Sequence, residues 1–91
     1  MSRLDIIHLR SAGESVESLS RKIQASIAGR DDGTTIVTLF RRVGLETDVA
    51  VHIRRPEVPD PEGAGELARI LAAALRDYGL VEYAKWEEIE S

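Results

Sequence analysis

At 91 residues the chain is long enough for one domain and too short for two, and a domain of this size buries only about 60–65% of its extended-chain surface, so its core is thin. With no cysteine and two histidines, neither a disulfide staple nor a closed structural zinc site is expected. The net charge is −4 and the twelve basic residues are scattered, several as pairs (Arg21–Lys22, Arg41–Arg42, Arg54–Arg55), which argues against nucleic-acid binding. No stretch is apolar enough for a leader or a membrane span, so a cytoplasmic protein with no membrane partner is expected.

Leu4 to Arg10 is a short apolar run that reads as a first strand, with Ile7 and Leu9 on one face and Leu4, Ile6, His8 and Arg10 on the other. A polar turn with Gly13 follows. Ser15 is placed to cap a helix, and Glu17 suits the positive end of its dipole. Val16, Leu19, Ile23 and Ile27 recur at spacings of three and four, which predicts one amphipathic helix ending near Gly29. Arg30 to Gly33 reads as a turn.

Thr34 to Arg55 is the strongest strand signal, two runs folded back on each other around Gly44 and Glu46. In the first, Ile36 and Phe40 share one face and Val37 and Leu39 the other. In the second, Val49, Val51 and Ile53 alternate with Asp48, Ala50, His52 and Arg54. Three prolines between Pro56 and Gly65 stiffen a connection that ends in a helix start, with Asp60 as cap and Pro61 in the first turn. Leu67, Ile70, Leu71, Ala74, Leu75 and Tyr78 predict a second helix, with Gly79 closing it in the left-handed conformation. Leu80 to Ile89 reads as a last strand with an acidic end, carrying Val81 and Tyr83 on one face and Ala84 and Trp86 on the other.

Strand, helix, strand, strand, helix, strand is the split βαβ order of a ferredoxin-like α+β sandwich over residues 1–91. It predicts a four-stranded antiparallel sheet in the order fourth, first, third, second, with both helices on one face. The helices should take the face of Ile7, Leu9, Val49, Val51 and Ile53. The other face is too apolar for a solvated one, and nothing else in the chain covers it, so a homodimer through that face is expected.

In element order, length, two-sided strands and the hairpin RRVGLETDVAVHI, the chain resembles the dimeric α+β barrel superfamily, the antibiotic-biosynthesis-monooxygenase-like proteins, from Leu4 to Glu88. The resemblance implies a barrel formed between two subunits. The activities it implies range from cofactor-free oxygenation through haem degradation to isomerisation, and some members have no established activity. The haem-degrading members use an Asn, a Trp and a helix-borne His. This sequence has no asparagine and both histidines lie in predicted strands, so no haem and no other cofactor is expected.

His8 and His52 are the candidate catalytic residues, with Arg10, Arg54 and Trp86 as candidate pocket residues. A histidine titrates near neutrality and suits a general base, and an arginine beside it can hold the anion formed from a phenol or enol. The plainer reading is that these side chains line a dimer interface. A two-histidine metal site would need Asp48 or Asp5 as a third ligand, and no metal is expected. Arg41 and Arg42 read as solvated charges at the hairpin tip, and Tyr83 as packed against a helix. The function expected is therefore a small homodimer that binds a small-molecule ligand between its sheets. The alternative is a cofactor-independent monooxygenase or isomerase acting on an aromatic or enolic substrate.

Overall fold

The computed structural model describes residues 3–28, 35–55 and 66–89. Its elements are β1 (Arg3–Ser11), α1 (Val16–Ile27), β2 (Ile36–Arg42), β3 (Leu45–Arg55), α2 (Glu66–Leu75) and β4 (Gly79–Glu87), with a 3-10 turn at Arg76–Tyr78 joining α2 to β4. The sheet order is β2-β3-β1-β4 with every neighbour antiparallel, as the order of elements predicts. The expected end of α1 at Gly29, the turn at Arg30–Gly33, and the proline segment with its Asp60–Pro61 helix start lie outside the described residues.

Alternation assigns the two faces. Ile7 and Leu9 of β1 stand opposite Val51 and Val49 of β3, and Asp5 stands opposite Ile53. These apolar side chains meet Leu19 and Ile23 of α1 and Ala68, Leu71, Ala72 and Leu75 of α2 in one buried cluster. Each large member contributes about 1.5–3 kcal/mol of transfer free energy. Ser15 caps α1 as expected, its hydroxyl accepting from the Ser18 amide at 3.1 Å. Lys22 of α1 reaches Glu14 at 3.2 Å and lies 4.4 Å over the Tyr78 ring, tying the first helix to the end of the second.

Two expectations at α2 are corrected. The helix buries Ala68 and Ala72 with Leu71 and Leu75, while Ile70 and Ala74 face outward. Small alanines let the helix axis approach the sheet, so the buried stripe runs through them rather than through Ile70. Gly79 is not a left-handed cap either. Its φ of 160° is extended backbone, and it is already the first residue of β4, opposite Ser11. Glycine is needed there because a Cβ would be driven into the Arg10 carbonyl. Among the described residues the glycines that do take positive φ are Gly13 (130°), in the turn after β1, and Gly44 (88°), in the turn between β2 and β3.

The β2–β3 pairing carries an irregularity that matters for the site. Arg41 pairs with Val49, yet Arg42 pairs with Leu45, so Glu46, Thr47 and Asp48 bulge out of the ladder. A bulge bends its strand and re-aims its side chains. Here it brings Arg42 over Asp48.

Candidate functional site on the open face of the sheet

The face away from the helices carries Leu4, Ile6, His8 and Arg10 of β1 between Asp48, Ala50, His52 and Arg54 of β3 and Leu80, Glu82, Ala84 and Trp86 of β4. All five candidate residues, His8, His52, Arg10, Arg54 and Trp86, lie on this face. The structure does not gather them into one site. It places His8 and Arg10 in one cluster and Arg54 and Trp86 in another, and leaves His52 outside both.

The first cluster is built on Asp48. Asp48 is 1% exposed, although it sits on the face that neither described helix covers. His8 Nε2 lies 3.1 Å from Oδ2, Arg42 Nη1 lies 3.4 Å from the same oxygen, and Arg10 Nε lies 3.8 Å from Oδ1. The Thr47 hydroxyl donates to Oδ1 at 3.3 Å. The Asp48 carboxyl titrates below its ordinary value: burial pushes it up, but the hydrogen bonds from His8 and Arg42 and the charges of Arg10 and His8 outweigh that. A neutral His8 that donates Nε2–H to Asp48 turns its Nδ1 lone pair away from the carboxylate. Beside this cluster is an open depression of about 320 Å³, lined by Ile6, His8, Phe40, Arg41, Arg42, Asp48, Val49 and Ala50.

His52 stands apart from that cluster. Its ring packs on Phe40 with centroids 4.5 Å apart and planes tilted by 52°. The second cluster places Arg54 and Trp86 on either side of Leu4, which pairs with both. With Ile6, Glu87 and Glu88 they line a depression of about 440 Å³, in which Trp86 remains 58% exposed.

Asp5 is unable to join the two histidines as a third metal ligand, because it points to the helix side. There it is 1% exposed and accepts from Arg55 Nη2 at 2.6 Å and from the Tyr83 hydroxyl at 3.1 Å. Burial, reinforced by the Asp5 charge, pushes the Tyr83 phenol up to about 12. Tyr83 therefore anchors β4 to β1 as a neutral donor, and Arg55 keeps Nε and Nη1 buried with no partner among the described residues.

Arg42 and Phe40 are the site residues that sequence reasoning passed over, and Asp48 is the one it underweighted. The alternation of β3 already put Asp48 on the face of His52. No periodic signal announces the bulge that folds Arg42 onto it.

No family model matches the chain, and no curated protein sequence matches it. Two solved structures are similar to it. One is SnoaB, a cofactor-independent oxygenase from Streptomyces nogalater, with a TM-score of 0.69 and 14% identity over 99% of this chain and 95% of that one. The other is Rv0793 from Mycobacterium tuberculosis, with a TM-score of 0.68 and 10% identity over 100% of this chain and 98% of that one. Identities this low speak to the fold and not to the chemistry. The chain has a ferredoxin-like α+β fold, and it shares that fold with both of these structures.

Proposed function

We propose that the chain is a homodimer closed through the open face of its sheet, and that the closed face holds a small-molecule ligand beside His8 and Asp48. The observation that carries this reading is the composition of the uncovered face. Ile36, Phe40, Leu80 and Trp86 are 57%, 47%, 73% and 58% exposed there, around a carboxylate that is itself buried. A single subunit leaves this apolar surface in water, and a second copy of the same surface removes it. The solution mass of the protein tests the pairing. Among the described residues no helix is long and apolar enough to cross a membrane. Charge is scattered rather than striped, which fits a partner that is neither a bilayer nor a nucleic acid.

The contact between His8 and Asp48 favours a second, catalytic reading on the same site. In the tautomer that donates Nε2–H to Asp48, the imidazole keeps Nδ1 as an acceptor. That nitrogen takes the proton of an enol or of an activated C–H, the electron pair stays on the substrate as an enolate, and Arg10 or Arg42 holds the oxyanion. Return of the proton to a different atom completes an isomerisation. The fold is shared with SnoaB, a cofactor-independent oxygenase, which supports this reading by analogy of fold. Deuterium exchange into a cyclic 1,3-diketone is the test. The parent protein should accelerate exchange, and His8→Gln should lose about 10²–10⁴-fold of that acceleration. Equal acceleration by the parent and by His8→Gln, or none by either, contradicts His8 as the base.

A further inference from the structure

The two histidines of the open face have opposite surroundings. His8 contacts the Asp48 carboxylate at 3.1 Å and stands opposite Glu82 of β4, so a proton on its ring meets negative charge within its own subunit. His52 has no such company. It is half-buried, with Ile6 of β1 and Thr38 of β2 as its cross-strand partners. The charged or titratable groups beside it are Arg54, the next residue of β3 on this face, and His8, diagonal to it on β1. On β2 its diagonal neighbours are Ile36 and Phe40, so that strand adds none. The Phe40 ring, 4.5 Å away and tilted by 52°, is an apolar wall and supplies no counter-charge. Both described helices pack on the other face of the sheet. The nearest acid along β3 is Asp48, beyond Ala50 and already held by His8 and Arg42. Glu82 lies on β4, with β1 between it and β3.

We propose that His52 makes the pairing of two open faces proton-dependent: the paired state holds His52 neutral, and acid in the histidine range separates the copies. This regulation rests on the homodimer proposed above and adds to it the group that controls the contact. Closing the face removes the water that solvates an imidazolium, and desolvation without a carboxylate partner disfavours the charged form. A neutral ring pays no such cost and lies on Phe40 as part of the apolar contact. A two-fold contact carries the His52 of each copy into the same interface, so two protons are linked to one dissociation. The separated chain binds these protons more readily than the pair does. Pairing is therefore at full strength above the ordinary histidine value of about 6.5 and weakens as the pH falls below it. His8 does not carry the effect, because its proton enters the contact together with the Asp48 carboxylate.

The test is sedimentation equilibrium of the full chain from about pH 7.5 to about pH 5.5, the range that brackets histidine titration, with circular dichroism on the same samples to show the fold intact. The dissociation constant of the parent should rise by about 10- to 100-fold across that range, the upper figure being the ceiling for two protons excluded from the pair. In His52→Gln, which keeps a neutral polar side chain, the rise should shrink to about twofold or less, whatever the absolute strength of its pairing. In His8→Gln it should remain about tenfold or more. The imidazole C–H resonances of His52 in the parent give a readout that needs no variant. Linkage is reciprocal, so their titration midpoint should move to lower pH as the protein concentration is raised. A dimer whose dissociation constant is flat across the range, or falls in acid, overturns the inference and leaves the pairing standing. So does a His52→Gln that keeps the full rise of the parent. If His52→Gln does not pair, the midpoint decides, and one that stays fixed as the parent associates overturns the inference. A single-chain mass at every pH and concentration overturns the pairing and its regulation together.

Discussion

Asp48 is the residue on which the open face turns. It is buried where its neighbours are exposed, and it collects His8, Arg10, Arg42 and Thr47 around one carboxylate. Its depressed titration in the folded chain fixes a sign for stability. A carboxyl whose folded value lies below its unfolded one stabilises the fold fully above the ordinary carboxylate range. That contribution is lost as the pH falls through the folded value. Asp48→Asn removes it, so the melting temperature of Asp48→Asn should lie below the parent's at neutral pH and the gap should close below about pH 4. Thermal melts across that range check this, and a gap that stays constant in acid contradicts it. The sequence announced half of this residue. Strict alternation from Val49 to Ile53 placed Asp48 and His52 on a common face, but alternation says nothing about which cross-strand neighbours reach a side chain. That depends on register and on the bulge at Glu46–Asp48, which are set by three strands at once. His8 and Arg10 were legible as face-mates, Arg42 as their partner was not, and His52 went to Phe40 instead.

At the scale of the element, the strands were read with more fidelity than the second helix. A strand shows its face directly because its period is two, and Ile7, Leu9, Val49, Val51 and Ile53 all point where alternation sends them. A helix rich in alanine does not, because Ala68 and Ala72 fit the core as well as they fit solvent. The junction after α2 shows a second limit. Glycine after a helix is usually read as a left-handed cap, but Gly79 is extended and serves close packing of β4 on β1. Gly79→Ala should therefore destabilise the fold by about 1–3 kcal/mol through overpacking against the Arg10 carbonyl. An equivalent substitution at a true left-handed cap acts through backbone strain instead. Denaturant unfolding checks the loss, and an unchanged or raised midpoint contradicts the close approach. Ser11, opposite Gly79, makes the same corner rigid from the other strand: its hydroxyl accepts from the Glu14 amide at 2.8 Å and from the Gly13 amide at 3.2 Å.

At the scale of the molecule, one face of the sheet is finished and the other is not. The helix side has a continuous apolar core and a buried tie among Asp5, Arg55 and Tyr83. The open side has an apolar surface and two depressions. Legibility at this scale was high, because two-sided strands beside two predicted helices leave one face uncovered. The cluster on Asp48 was not legible, because it depends on the distances among side chains from three strands. The account stands on the pairing of two open faces, and light scattering of the parent protein beside Phe40→Glu tests it most directly. Phe40 is half-exposed on the open face of β2, within the proposed contact, and a carboxylate there is left desolvated in the pair. The account predicts about twice the 10.0 kDa chain mass for the parent and the mass of one chain for Phe40→Glu. A parent protein that scatters as a single chain at every concentration contradicts it.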